Sequence, residues 1–371
     1  VGSSKERYVI YRQEKIIKNV EDASVTWKQN SLMTSLITTD LHLTDKPRDE
    51  YRFGLFPWIR KKVEKYNLQR VFILGDLTDF KDRHSSTLVN RIVDELGELS
   101  EEVNIDILEG NHDFVDVYNP FFRFLNGTKG IRFFYGKPTP NTMPDDSKAL
   151  MLPFTKTPKK DWKKYDLTDY DYIFMHQTFG GAIASNGYKM EGLSASLLKG
   201  VSGQVFSGDI HVPQKIGKVT YVGSPYHIHF GDTFQPRIIL LEEGRHKYLH
   251  FPCLKKVTLN IKAAKDLYNI TSLSEGDQVK VRISIQREQF VDWDAIKQDV
   301  QKACDKLGLD VFGIEPREKK TRATLDENAS SSKPKIKSIL SAPPNKIIHT
   351  FCKREKVGEY IQNIGVKLLD T

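Results

Sequence analysis

The sequence predicts a layered α/β domain followed by a small α+β unit, and three observations carry that expectation. Apolar runs of about four to six residues recur from Ser31 onward, each bounded by a polar turn, as buried strands are. Amphipathic stretches separate the first three runs, and strand–helix–strand alternation is the pattern of a layered α/β sheet. Length and composition agree: 371 residues, 39% hydrophobic and 28% charged, suit about two globular domains plus an appendage and are too apolar for wholesale disorder.

Taken in order, 1–30 is weakly patterned and is read as an N-terminal extension; its first residues show neither the apolar core nor the cleavage pattern of a secretory signal. The run 32–37 then leads into Thr38, Thr39, Asp40, Leu41 and His42. The run 71–74 leads into Gly75 and Asp76, and 105–108 into Gly110, Asn111, His112 and Asp113. The run 172–175 leads into His176, and 205–206 into Ser207, Gly208, Asp209, Ile210 and His211. Between the first three runs, 51–66 is amphipathic despite Pro57. The stretch 86–99 spaces Leu88, Ile92, Val93 and Leu96 at helical intervals behind Ser/Thr caps. The runs 218–222, 237–241 and 247–251 come close together without helices and predict a second sheet of adjacent hairpins.

Beyond Pro252 the runs 257–261 and 278–285, a helix-like 292–307 and the run 310–314 read as a small capping unit, 253–317, without an acid–histidine cluster. A charged, Ser-bearing linker follows. The tail 318–371 ends in a stripe of Phe351, Val357, Ile361, Ile364 and Leu368 at near-helical spacing. The catalytic candidates therefore all fall in 31–252.

Charge and cysteine narrow the setting. The chain carries 56 Lys/Arg against 48 Asp/Glu, a net +8, and 318–371 alone holds a surplus of five, which fits a polyanionic partner such as nucleic acid. Cys253, Cys304 and Cys352 lie about fifty residues apart, which suits neither a disulfide framework nor a zinc ribbon and reads as reduced thiols of a cytoplasmic protein. No run reaches the ~18 apolar residues of a membrane span, so no membrane partner is expected.

Each acid- or His-bearing turn is weak evidence alone. Following successive predicted strands, all five can converge on one edge, where Asp, Asn and His supply the mixed oxygen and nitrogen donors that divalent metals accept. In this order Asp40-x-His42, Gly75-Asp76-x-x-Asp79, Gly110-Asn111-His112-Asp113, His176 and Gly208-Asp209-Ile210-His211 resemble the calcineurin-like metallophosphoesterases. The resemblance covers about 35–230. It implies a metallophosphoesterase-type β-sandwich flanked by helices, with a small α+β capping domain and a C-terminal tail. Within that family the chain looks most like the SbcD-type DNA repair and recombination nucleases, including those of phages. The features are Pro213, the segment Tyr221-Val222-Gly223-Ser224-Pro225-Tyr226, the capping unit and the basic tail.

The resemblance implies two divalent ions, Mn²⁺ ahead of Mg²⁺. One would be held by Asp40, His42, Asp76 and His211, the other by Asp76 as a bridge with Asn111, His176 and Asp209. The family usually has His at 209; Asp is a harder, charged oxygen ligand and favours Mn²⁺ or Mg²⁺ over Zn²⁺. His112 is similar to the family's non-ligand catalytic histidine, and Asp79 to an acid that orients it, with a helix cap as the alternative for Asp79. His84 either touches DNA or sits in a solvated loop. His227 and His229 are expected to line the cleft rather than bind metal. Tyr118, Phe121, Phe122 and Phe124 read as core, with base stacking as the minor alternative. The implied activity is two-metal hydrolysis of DNA phosphodiesters, with DNA and an SbcC-like coiled-coil ATPase docked on 340–371 as partners, packing of that segment on its own capping domain being the alternative to docking; a homodimer is left open. The alternatives are a phosphomonoesterase or cyclic-nucleotide phosphodiesterase of the same superfamily, and a DNA-binding scaffold with a degenerate metal site.

Overall fold

The computed structural model describes residues 33–319, so the N-terminal extension and the tail beyond 319, with its apolar stripe and Cys352, lie outside the described residues. Two compact units divide these residues: 33–283 with 292–316, and 284–291 with 317–319. In the smaller unit the Lys319 amide donates to the Ile285 carbonyl at 2.9 Å.

The strands are β1 (Thr34–Thr38), β2 (Arg70–Leu74), β3 (Asn104–Leu108), β4 (Ile131–Phe134), β5 (Thr139–Thr142), β6 (Lys148–Leu152), β7 (Tyr172–His176) and β8 (Gln204–Gly208). There follow β9 (Gln214–Ile216), β10 (Val219–Tyr221), β11 (Ile238–Glu242), β12 (Arg245–Leu249), β13 (Lys256–Ile261), β14 (Gln278–Ile285) and β15 (Asp310–Glu318). One six-stranded sheet runs β12-β11-β1-β2-β3-β4, a second runs β5-β6-β7-β8-β10-β9, and β13-β14-β15 form a three-stranded third. The first sheet is parallel from β1 to β4, and β6, β7 and β8 are parallel in the second. The fold is thus a mixed α/β sandwich with flanking helices.

Alternation along the strands explains the uninterrupted apolar runs. In β2, Val71 and Ile73 face helices α1 (Leu55–Tyr66) and α2 (Ser86–Glu102), while Phe72 and Leu74 face the second sheet. In β7, Phe174 faces inward and Ile173 and Met175 face a further cluster containing Trp162, Phe179 and Leu198. A strand buried on both faces has no reason to alternate with polar residues. Phe72 and Phe174 stack at 4.3 Å between the sheets and join the parallel strands whose ends carry the five motifs. Helix α1 buries Leu55, Phe56, Ile59 and Val63, and it tolerates Pro57 because the residue lies in its first turn. In α2, Leu88, Ile92, Leu96 and Leu99 form the buried face, and Ser85 Oγ caps the helix by accepting from the Leu88 amide at 3.1 Å.

One expectation is corrected. The runs 237–241 and 247–251 do not build the second sheet. They become the β11–β12 hairpin, which adds antiparallel to β1 through pairs such as Ser35 with Leu241. The second sheet is instead assembled around β7 and β8. The stretch 218–222 does join it, beside β8, with β9 as its hairpin partner.

Phe174 is fully buried where the two sheets meet. Phe174→Ala should cost about 3–5 kcal/mol, the usual loss for deleting a buried ring. Urea denaturation followed by tryptophan fluorescence measures it, and a loss near zero would show that the sheets do not depend on this contact.

Candidate metal centre

The motifs converge because the strand ends are tied to one another. Beyond β1 and β2 the chain continues to pair: the Asp40 amide donates to the Gly75 carbonyl and the His42 amide to the Asp76 carbonyl, both at 3.0 Å. Asp40, His42, Asp76 and Asp209 all have left-handed backbone, at φ of 52°, 43°, 54° and 77°. That conformation costs a residue with a side chain roughly 1 kcal/mol, and it is concentrated here at the turns that aim these groups. Gly75 has φ 93°, and a β-carbon there would lie 2.3 Å from His176 Nδ1. At Gly110 a β-carbon would lie 2.3 Å from Asp76 Oδ1. Glycine is required at both places so that the motifs can touch.

Two sets of donors could each hold a metal ion: Asp40, His42 and His211, and Asp40, Asp76 and His176. The Asp76 carboxylate turns one oxygen to each side, Oδ2 3.6 Å from His42 Nε2 and Oδ1 3.5 Å from His176 Nε2. His42 Nε2 and His211 Nε2 face each other at 3.1 Å. Asn111 Oδ1 lies 2.9 Å from His176 Nε2. Asp209 Oδ1 stands 3.8 Å from the same nitrogen, while its Oδ2 accepts from Thr178 Oγ1. Asp209 thus sits at the edge of the cluster, held by a hydroxyl that the sequence does not single out.

His112 is placed by its backbone and its ring. Its amide donates to Asp76 Oδ1 at 2.8 Å and its Nδ1–H to the Asp79 carbonyl at 2.9 Å. The Asp79 carboxylate does not orient His112; it lies 2.9 Å from His42 Nδ1. Asp79 therefore serves both histidines, one through its main chain and one through its side chain. It is not the cap of α2, since Ser85 is.

Other expectations fall differently. His84 is half-buried: it packs on Phe121 and Phe122, and its Nε2 lies 2.8 Å from Thr78 Oγ1. His229 stacks on His211 at 5.8 Å and lines the adjoining cavity. His227 instead gives its Nε2–H to the Phe234 carbonyl at 2.8 Å. Of the aromatic group, Phe122 is buried, but Tyr118 is 67% and Phe124 49% exposed.

Sequence reasoning missed two organising residues. The buried carboxylate of Asp113 accepts the amides of Gly110 at 2.7 Å and of Asp76 and Leu77 at 2.9 Å, and so clamps two motif loops together. The motif Gly-Asn-His-Asp was its signal. Buried Arg52 donates to the His42 carbonyl, pairs with Asp49 at 3.2 Å and stands over the Tyr226 ring at 5.6 Å. Tyr226 in turn donates to the Leu41 carbonyl at 2.5 Å. An arginine in an amphipathic stretch gives no such signal.

The electrostatics fit a bound cation. Burial pushes Asp40 up to about 7, with Asp76 and Asp209 adding to the rise. Burial opposes charge on His176 and His42, yet the surrounding carboxylates hold both above the ordinary histidine range. Burial and the neighbouring His42 push His211 down to about 3, which leaves its imidazole neutral. The cluster therefore favours added positive charge, which a divalent cation would supply. Asp40 Oδ2 is buried without a hydrogen-bond partner among the described residues, an oxygen left for such an ion. The donor set suits divalent metals.

Those raised values have a consequence for loading. Ligands must be deprotonated, so uptake of Mn²⁺ at pH 6.5 should release protons from Asp40, His42 and His176, and affinity should climb as pH rises through about 7. Calorimetric titration in buffers of differing ionisation enthalpy counts the protons. A heat independent of buffer would contradict this electrostatic picture.

A model of the family described as calcineurin-like phosphoesterase matches residues 33–213. No curated protein matches. Solved structures with similarity include GAP50, the anchor in the inner membrane complex of Plasmodium, at 14% identity and TM-score 0.40, covering 61% of this chain and 91% of that one. The nuclease MPE of Pseudomonas putida shows 12% identity and TM-score 0.31, with 58% and 87% covered. A dimetal phosphatase from Danio rerio shows 12% identity and TM-score 0.35, with 60% and 100% covered. Residues 33–213, which hold all five strand-end motifs, form a calcineurin-like phosphoesterase domain.

Proposed function

We propose that this protein is a metal-dependent nuclease that hydrolyses phosphodiester bonds of DNA in end processing, repair or recombination. The observation that carries this reading is the convergence of Asp40, His42, Asp76, His176 and His211 beside a histidine, His112, that is not among the clustered donors. A diester needs room for a chain on each side of its phosphate. Two cavities, of about 320 and 350 Å³, flank His229, the neighbour of His211. The basic balance of +8 supplies attraction to a phosphate backbone regardless of sequence.

Asp40, His42, Asp76 and His211 would hold one ion and Asp76, Asn111, His176 and Asp209 the other, and both would supply Lewis-acid polarisation of the phosphate and a nucleophile at neutral pH. The protein's own contribution is positional. The Asp79 carbonyl fixes the proton of His112 on Nδ1, so Nε2 is the ring nitrogen left to exchange a proton with the leaving oxygen. Arg52 and Tyr226 hold the carbonyls of His42 and Leu41, which keeps the first motif loop from relaxing. The further part of the reading, docking of 340–371 on an SbcC-like ATPase, draws on the apolar stripe of that segment alone.

In Mn²⁺ the full chain should digest labelled linear duplex, single-stranded or hairpin DNA, and EDTA should stop it. Hydrolysis confined to p-nitrophenyl phosphate would select the phosphomonoesterase alternative. His112→Ala should keep its metal content while the rate falls by roughly 10²–10⁴-fold, the range for a positioned acid–base group. Loss of a metal ion from that variant would make His112 a ligand instead.

A further inference from the structure

The third sheet meets the phosphoesterase domain beside the metal centre, and the seam is built rather than incidental. Lys256 Nζ on β13 lies 2.7 Å from Asp49, and Arg48 pairs with Asp310 on β15 at 3.0 Å. Gln278 on β14 donates to the Arg48 carbonyl at 2.5 Å. These ties enclose a cavity of about 350 Å³. Its lining includes three cations, Lys46, Arg48 and Lys256, against one carboxylate, Asp49. Asp49 is already engaged by Lys256 and Arg52, so the cavity has no free anion to attract a basic peptide. Lys46 has no carboxylate within ion-pair distance among the described residues, and its ammonium stands 6.0 Å from the exposed ring of Phe80.

The same cavity is walled by two aromatic rings brought from different parts of the chain. Phe230, from the loop before β11, and Phe312, from β15, lie 4.7 Å apart at 42°. Phe312 is 56% exposed, an unusual placement for phenylalanine, and the Arg48 guanidinium stands 5.5 Å from its ring. His229 lines this cavity and also the one beside Asp209 and His211, so the two share a wall at the metal centre.

We propose that this seam cavity is a nucleotide subsite of the nuclease, taking the nucleotide that flanks the scissile phosphate. This deepens the DNA reading and rests on it. The base stacks on Phe312 and Phe230, and Lys46 and Arg48 take the adjacent backbone phosphate. Aromatic stacking with cations alongside is how proteins hold single strands without reading sequence. The volume lies near the lower end for a ligand pocket and suits one nucleoside rather than a folded partner. A strand laid from this cavity over His229 passes the Asp–His cluster with one phosphate in reach.

The test compares two substrates in Mn²⁺: a short single-stranded oligodeoxynucleotide, and bis(p-nitrophenyl) phosphate, which is too small to span the seam. Phe312→Ala should raise KM for the oligonucleotide about tenfold, as expected when one stacked base loses its platform, and leave turnover of the small diester unchanged. Phe312→Trp should restore the oligonucleotide KM. Lys46→Ala should make that KM less dependent on salt, by about one in log–log slope. A Phe312→Ala enzyme equal to wild type on the oligonucleotide overturns the subsite while the DNA reading stands. Wild type that leaves the single strand uncut overturns the subsite, and wild type that leaves duplex and hairpin DNA uncut as well overturns the DNA reading with it. If Phe312→Ala loses both activities, Lys46→Ala decides: an unchanged salt slope of the oligonucleotide KM in that variant would also refute the subsite.

Discussion

The carbonyl oxygen of Leu74, at the end of β2, accepts two hydrogen bonds: from Thr39 Oγ1 at 2.8 Å and from His176 Nδ1 at 2.6 Å. Thr39 follows β1 in the first sheet, and His176 ends β7 in the second. One acceptor therefore joins three strand ends across the sandwich. It also decides a tautomer. With Nδ1–H committed to Leu74, His176 can present only Nε2 to Asn111, Asp76 and Asp209. A carbonyl that orients a histidine from behind in this way is the arrangement that makes imidazole a good ligand. The histidine has no freedom to withdraw, because it is fully buried.

Around that point the loops are clamped by groups that do not themselves belong to the cluster. Asp113 gathers three amides from two loops, and Arg52 with Tyr226 holds two carbonyls of a third. These clamps offset the left-handed backbone at Asp40, His42, Asp76 and Asp209, which would otherwise relax toward ordinary turns. Burial of so many carboxylates is tolerable only with compensating positive charge. Burial raises Asp40 and the neighbouring carboxylates raise His42 and His176, so positive charge is favoured at this cluster, as a divalent cation would supply it.

The third sheet connects to the same machinery through Asp49. That carboxylate takes Lys256 from β13, Arg52 from the loop clamp and the hydroxyl of Thr44 at 2.9 Å. Arg52 and Lys256 together hold Asp49 below the ordinary carboxylate range, although its burial works in the opposite direction. Two ion pairs, Lys256 with Asp49 and Asp49 with Arg52, thus connect β13 of the third sheet to the His42 carbonyl.

Much of this was legible in the sequence. Strands β1, β2, β3, β7 and β8 are apolar runs because both faces are buried, and their ends carry Asp, His and Asn because parallel strands deliver their loops to one edge. Local pattern also marked α2, through its Ser85 cap and the spacing of Leu88, Ile92 and Leu96. What the sequence could not decide depends on partners distant along the chain. The β11–β12 hairpin reads the same whether it joins one sheet or the other; pairing with β1, some two hundred residues earlier, decides it. Asp79 lies three residues after Asp76 in the motif, but only the fold determines that its carboxylate meets His42 while its carbonyl meets His112. Arg52 and Phe312 look like ordinary surface residues in sequence. One becomes a buried clamp and the other an exposed ring at a cavity, because burial is a property of what packs against a side chain and not of the side chain itself.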